Sequence, residues 1–200
     1  MEITSGLVKE LREKTGLGMM DCKKALVETS GDIEKAVEFL RKKGALKAES
    51  KSDRVTSEGT IGSYIHMGGK VGVLLEINCE TDFVAKSDDF TGLVKDIAMH
   101  ITATKPLYVR REDVPAEFIA KEKEIMLAQD AENLAKKPDE IREKIMTGKV
   151  DKLLADICLL EQAFVKDPDK TIQDLVKEKI AKLGENITVK RFVRYSLGEN

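Results

Sequence analysis

The chain has 200 residues, 42 % of them hydrophobic and 35 % charged, which is enough apolar side chain for a real core and suits a small module beside a larger domain. Its 34 basic residues are matched by 36 acidic ones for a net charge of -2, so it lacks the basic excess that displaces counterions from nucleic acid. Aromatic content is 4 % with no Trp, so base-stacking platforms are scarce and nucleic acid is not an expected partner.

The first segment predicts three short helices. Ile3, Leu7, Val8 and Leu11 recur at helical spacing, with Gly16 as the stop. A second helix carries Met20, Ala25 and Leu26 and ends near Gly31. Asp32 suits the N-cap of a third, with Ile33, Ala36, Val37 and Leu40 inward and Gly44 closing it. Three such helices make only a marginal core. The expected organisation is therefore a three-helix module over 1–44, a Lys-, Ala-, Ser- and Glu-rich linker over 45–56, and a core domain over 57–200.

After Ser57 the period changes. Thr60–Ile65 reads as a strand, and Gly68-Gly69 is a two-residue hairpin turn, because both positions tolerate positive φ. Val71, Val73, Leu75, Ile77 and Cys79 alternate with Gly72, Leu74, Glu76 and Asn78, the period of a half-buried strand. Phe90, Leu93, Val94, Ile97, Ala98 and Ile101 then form an apolar helical stripe that Lys105-Pro106 breaks. Pro115 opens a helix through Phe118, Ile119 and Ile125. Pro138 opens another with Ile141 and Ile145, continued by Val150, Leu153, Leu154, Ile157 and Leu160. Thr171 caps a last helix ending at Gly184, and Ile187–Tyr195 reads as a strand that joins the hairpin. The fold class is α+β: N-terminal helices, then a small antiparallel sheet packed with helices.

No catalytic constellation emerges. Gly69-Lys70 is followed by Val71 rather than Ser or Thr, and Tyr64 holds the first P-loop glycine position, so no phosphate cradle is present. His66 and His100 form no HExxH and read as partly exposed structural histidines. Cys22, Cys79 and Cys158 have no metal-ligand spacing and read as small buried thiols of a reducing cytosol. Met1-Glu2-Ile3-Thr4-Ser5 lacks the basic and apolar regions of an export signal, and no stretch approaches the roughly 18 apolar residues of a membrane span. A cytoplasmic protein without cofactor or metal, acting by binding rather than as an enzyme, is expected.

Two places invite a binding role. Met19-Met20 lies in a glycine-flanked turn between two helices, where two thioethers cannot both enter so small a core. Exposed together they would adapt to an irregular partner surface; the competing reading puts Met20 in the module's own core. Thr81-Asp82-Phe83 sits in a tight corner between a strand and a helix. On the ordinary reading Thr81 is a cap, Asp82 favours the helix dipole and Phe83 is core.

The stretch Leu11-Arg12-Glu13-Lys14-Thr15-Gly16-Leu17-Gly18-Met19-Met20-Asp21-Cys22-Lys23-Lys24-Ala25-Leu26, followed by Gly31-Asp32-Ile33-Glu34-Lys35-Ala36, resembles one signature region of the elongation factor Ts family. Glu76-Ile77-Asn78-Cys79-Glu80-Thr81-Asp82-Phe83-Val84-Ala85-Lys86 resembles the other, and Gly184-Glu185-Asn186-Ile187 with Arg191-Phe192-Val193 looks like the family's closing segment. The resemblance is collinear and covers essentially the whole chain. It implies a ubiquitin-associated-like fold for the three-helix module and elongation factor Tu as partner. Arg12, Met19 and Met20 would dock on the partner's GTPase domain, and Thr81, Asp82, Phe83 and Val84 would project beside its magnesium and phosphate site. It further implies guanine-nucleotide exchange: Phe83 wedges helices apart, Asp82 holds the displaced segment, and GDP leaves without binding to this chain. The chain ends soon after a single core unit, whereas longer members carry a duplicated core half and a helical hairpin. Self-association into a homodimer is one way to compensate. A rival reading, an adaptor for ubiquitin-like partners, accounts for Met19-Met20 but not for Thr81-Asp82-Phe83.

Overall fold

Thr4 opens the first helix, its Oγ1 accepting the Leu7 N–H at 3.3 Å. The computed structural model describes residues 3–135 and 137–199; Met1 and Glu2, used above to read the N-terminus, lie outside the described residues. Helix α1 (Ser5–Thr15) ends at Gly16, whose N–H reaches the Arg12 carbonyl at 2.7 Å. Helix α2 spans Met19–Glu28. Helix α3 (Ile33–Glu49) starts from Asp32, whose Oδ1 accepts the Lys35 N–H at 3.0 Å. Val8, Leu11, Cys22, Ala25, Leu26, Ala36 and Leu40 form the core beneath the three helices. Contrary to expectation, α3 does not stop at Gly44. Ala45, Leu46, Lys47 and Ala48 are strong helix formers that carry it on. Gly44 instead marks a close approach: a Cβ there would lie 3.3 Å from the Ala181 methyl.

Strands β1 (Glu58–Ile65) and β2 (Val71–Cys79) form the expected hairpin. Gly68 and Gly69 both have positive φ, 88° and 68°. On β2, Val73, Leu75, Ile77 and Cys79 face the core. The chain then turns through a short helix α4 (Asp82–Ala85) into the long α5 (Asp88–Thr104). The α5 stripe of Phe90, Leu93, Val94, Ile97, Ala98 and Ile101 is buried as the spacing predicts. Gly62 lets α5 lie against β1, since a Cβ there would come within 2.2 Å of Val94 Cγ1.

Helix α6 (Ala116–Gln129) follows Pro115, the short α7 spans Ala131–Ala135, and α8 (Asp139–Ile157) follows Pro138. Val114, Val150, Leu154 and Cys158 are packed with Phe118, Ile119 and Met126. The helix expected to reach Leu160 ends at Ile157 and gives way to a 3-10 turn, Leu159–Glu161. A small antiparallel pair then appears that the spacing did not suggest, β3 (Ala163–Phe164) and β4 (Asp167–Thr171). Helix α9 (Ile172–Leu183) and β5 (Ile187–Ser196) complete the chain. The sheet order is β1-β2-β5. Leu197 N–H donates to Lys70 O beyond the start of β2, so β5 runs antiparallel to it.

The architecture is α+β, as expected. Two compact units divide the chain, neither contiguous. One holds the residues up to Gly62 with Leu75–Asp96 and Asp174–Lys190; the other holds Ser63–Leu74, Ile97–Gln173 and the segment from Arg191 on. The three N-terminal helices therefore share a unit with the β2–α4 corner and most of α9.

Within the second unit, His100 is fully buried rather than partly exposed. Its Nδ1 accepts the Val165 N–H at 3.2 Å and its Nε2 lies 3.0 Å from Gln162 Oε1. Thr104 Oγ1 also donates to that oxygen at 2.8 Å, while Gln162 Nε2 donates to Asp156 O at 2.6 Å. These bonds fix the tautomer with hydrogen on Nε2 and satisfy the ring without water, which is what allows its burial. His66, by contrast, is exposed at the hairpin end.

Candidate partner-binding site

The corner between β2 and α4 is held on three sides. Thr81 is the N-cap of α4, its Oγ1 accepting the Val84 N–H at 3.4 Å. Cys79 Sγ donates to Thr81 O at 3.1 Å, and Ser87 Oγ donates to Val84 O at 2.8 Å. Val84 and Ala85 are buried and anchor the short helix from below. A four-residue helix cannot hold itself by its own hydrogen bonds, so these attachments give it its position.

On that anchored corner Phe83 points outward with 81 % of its surface exposed. The reading of Phe83 as core does not hold. A phenyl ring turned to water at a fixed corner loses the stabilisation that burial would give. Asp82, beside it, is exposed and salt-bridged to Lys86 at 2.7 Å. That hydrogen bond and the lysine charge hold its carboxyl below the usual carboxylate range. Val84 was expected on the same surface; its side chain is inside, so it supports the corner rather than presenting a face.

The N-terminal residues form a second exposed group in the same unit. Met19 and Met20 open α2 and are 44 % and 66 % exposed, so the reading of Met20 as module core is not what the structure shows. Their neighbour Asp21 is bridged to Lys43 and Lys47, which secures the start of α2 on α3. Arg12 is exposed one turn before Gly16.

The end of α9 lies beside Gly16, and the residues that follow it reach the corner. Lys182 comes within 3.2 Å of where a Cβ on Gly16 would stand, and its Nζ bonds Asp89 Oδ1 at 2.8 Å. Lys179 bonds the same oxygen at 2.8 Å and, with Lys182, holds the Asp89 carboxyl below its ordinary range. Just beyond α9, Glu185 accepts both the Thr81 N–H at 3.0 Å and the Thr81 Oγ–H at 2.7 Å. In return, Asn186 N–H donates to Glu80 Oε1 at 2.6 Å, which holds the Glu80 carboxyl low. Asn186 Nδ2 also ties down the Ser52 and Arg54 carbonyls, at 3.1 and 2.9 Å. Sequence spacing could not pair Glu80 with Asn186 or Thr81 with Glu185, over a hundred positions apart. Among the described residues no group of three or more His, Cys, Asp or Glu side chains is arranged to hold a metal ion.

The family model for "Elongation factor TS" matches residues 21–199. The chain belongs to the elongation factor Ts family. It is 60 % identical over 199 residues to "Elongation factor Ts" of Geobacter metallireducens, covering 100 % of this chain and 91 % of the relative. The proteins of that name from Desulforamulus reducens and Syntrophomonas wolfei are each 59 % identical, over 198 and 197 residues. Those pairings cover 99 % and 98 % of this chain and 90 % and 91 % of the relatives. Arg12, Met19 and Met20 precede the part matched by the family model, so the full-length relatives are what extend elongation factor Ts likeness to them. The β2–α4 corner lies well inside both.

Proposed function

We propose that this chain is a guanine-nucleotide exchange factor of translation elongation, which binds elongation factor Tu carrying GDP and speeds the departure of the nucleotide. The observation that carries the reading is Phe83, exposed on a corner that is held by its neighbours on three sides, in a chain of the elongation factor Ts family. Thr81, Asp82 and Phe83 enter the GTPase domain beside its magnesium and phosphate site. Phe83 wedges the partner's helices apart, Asp82 holds the displaced segment, and Val84 anchors the corner from within. Residues 1–44 serve as the docking module, with Arg12, Met19 and Met20 as its contact surface; 45–56 connect it to the core domain of 57–200. The chain makes and breaks no bond and holds no nucleotide itself. It works in the cytoplasm, and no helix among the described residues is long and apolar enough to cross a membrane.

Coupling of this kind is reciprocal: a factor that weakens GDP binding is itself bound less tightly when GDP is present. Calorimetry of the chain against nucleotide-free and GDP-bound elongation factor Tu tests this. The nucleotide-free form should bind the chain more tightly; equal affinities, or binding to ubiquitin instead, would count against the reading. We infer also that two copies associate, since Ile65, Met67, Leu74, Tyr195 and Leu197 of the second unit leave large apolar surface exposed. Sedimentation at a monomer mass over the micromolar range would refute that part alone.

A further inference from the structure

We propose that Glu185 is a positioning residue for exchange, which completes the helix cap under Phe83 from the far end of the chain; the assignment rests on the exchange reading above. A helix N-terminus leaves orphan N–H groups. In a capping box the N-cap side chain takes the N–H of the third helical residue, and a Glu or Gln at that third residue reaches back to the N-cap N–H. Thr81 performs the first half on α4, through Val84 N–H. The third helical residue is Val84 itself, buried and without an acceptor. Glu185 supplies the missing half. Its Oε2 takes the Thr81 N–H, and its Oε1 takes the hydroxyl hydrogen of the same residue.

The arrangement resolves a conflict local to the corner. Position 84 must be apolar to anchor a four-residue helix, so it cannot also carry the capping carboxylate. Supplying the carboxylate from outside lets the corner keep both. The hydroxyl is then a link in a chain, donating to a charged oxygen while accepting from Val84 N–H, and each bond polarises the other. Glu185 is itself held. It follows Gly184, whose N–H closes α9 on Ile180 O at 2.9 Å, and precedes Asn186, which is tied to Glu80 and to the Ser52 and Arg54 carbonyls. Through Lys179 and Lys182 on Asp89, α9 is also fastened to the start of α5. The direction of Phe83 is therefore referenced to α9 rather than to α4 alone: Glu185 makes the link to Thr81 itself, beside the one between Asn186 and Glu80.

The test uses the full chain with Glu185→Gln, Thr81→Val and the double variant Glu185→Gln/Thr81→Val. Glutamine keeps one acceptor oxygen and turns an amide N–H₂ toward a donor. The maximal rate of GDP release from elongation factor Tu, at saturating chain, should fall about tenfold in Glu185→Gln and in Thr81→Val. The double variant should fall by less than the product of the single effects. A merely structural role would reduce the folded fraction or raise the half-saturating concentration and leave the maximal rate intact, and that result would overturn the assignment. Amide exchange on the chain alone separates the two ideas: Glu185→Gln should speed exchange at Thr81 about tenfold while α9 keeps its protection. If the wild-type chain releases no GDP, the exchange reading falls and no residue positions it. Unchanged Thr81 protection in Glu185→Gln would defeat the cap even where exchange is intact.

Discussion

Phe83 and Val84 are consecutive residues in opposite environments, the first 81 % exposed and the second 6 %. On the first turn of α4 this pairs an outward aromatic with an inward anchor, and the two should fail differently when truncated.

Phe83→Ala should unfold at a denaturant midpoint close to wild type, because an exposed side chain contributes within about 0.5 kcal/mol. It should lose about 2 kcal/mol or more of binding to elongation factor Tu, about thirtyfold in affinity. Val84→Ala should do the reverse, costing about 2 kcal/mol of stability while keeping most of its affinity wherever it remains folded. Urea titration paired with calorimetry separates the two. A Phe83→Ala chain that is grossly unfolded would return Phe83 to the core and remove the wedge.

The exposed pair on α2 makes a similar claim. Met19→Ser with Met20→Ser should leave the three-helix core unchanged, since neither side chain belongs to it. Affinity for nucleotide-free elongation factor Tu should drop about tenfold or more. Calorimetry showing wild-type affinity would show that this turn is not a docking surface.

Much of this was legible in local pattern. The α5 stripe and the β2 alternation each place a row of buried residues, and Gly68-Gly69 names its own turn. What escaped is non-local or weakly signalled. The pair β3 and β4 contains Asp167, Pro168 and Asp169, residue types that strands usually avoid, so its sequence reads as loop. Gly44 looked like a helix stop because its actual reason, the Ala181 methyl, arrives from a distant helix. His100 sat beside an apolar stripe, but its burial depends on Gln162 and Val165, which only the fold brings near. At the site, Phe83 could be read as core or as contact from the sequence. Its exposure follows from Val84 and Ala85 taking the interior positions of a single helical turn.

The buried histidine gives the protein a pH dependence with a defined sign. Burial pushes the His100 pKa below its ordinary value of 6.5, so the unfolded chain takes up the proton first. Stability therefore rises with pH between the folded and unfolded values. This contribution is complete above about pH 6.5 and is lost as pH falls below that toward the lower folded value. Protonation would also put a hydrogen on Nδ1, where Val165 N–H needs an acceptor. Urea midpoints measured from about pH 7.5 down to pH 5.5 should fall for the wild type and fall less for His100→Gln. Equal slopes in the two proteins would contradict the network.

If this chain opens the nucleotide site of elongation factor Tu, release of fluorescent GDP from that GTPase reads the opening itself. Trace amounts of the chain should speed release without changing the final division between free and bound nucleotide. Saturating amounts should trap the nucleotide-free GTPase until excess GDP displaces the chain. The wild type should show both behaviours and Asp82→Ala should weaken both, since one set of contacts serves them. A release rate that is the same with and without the chain would mean that it does not open the nucleotide site.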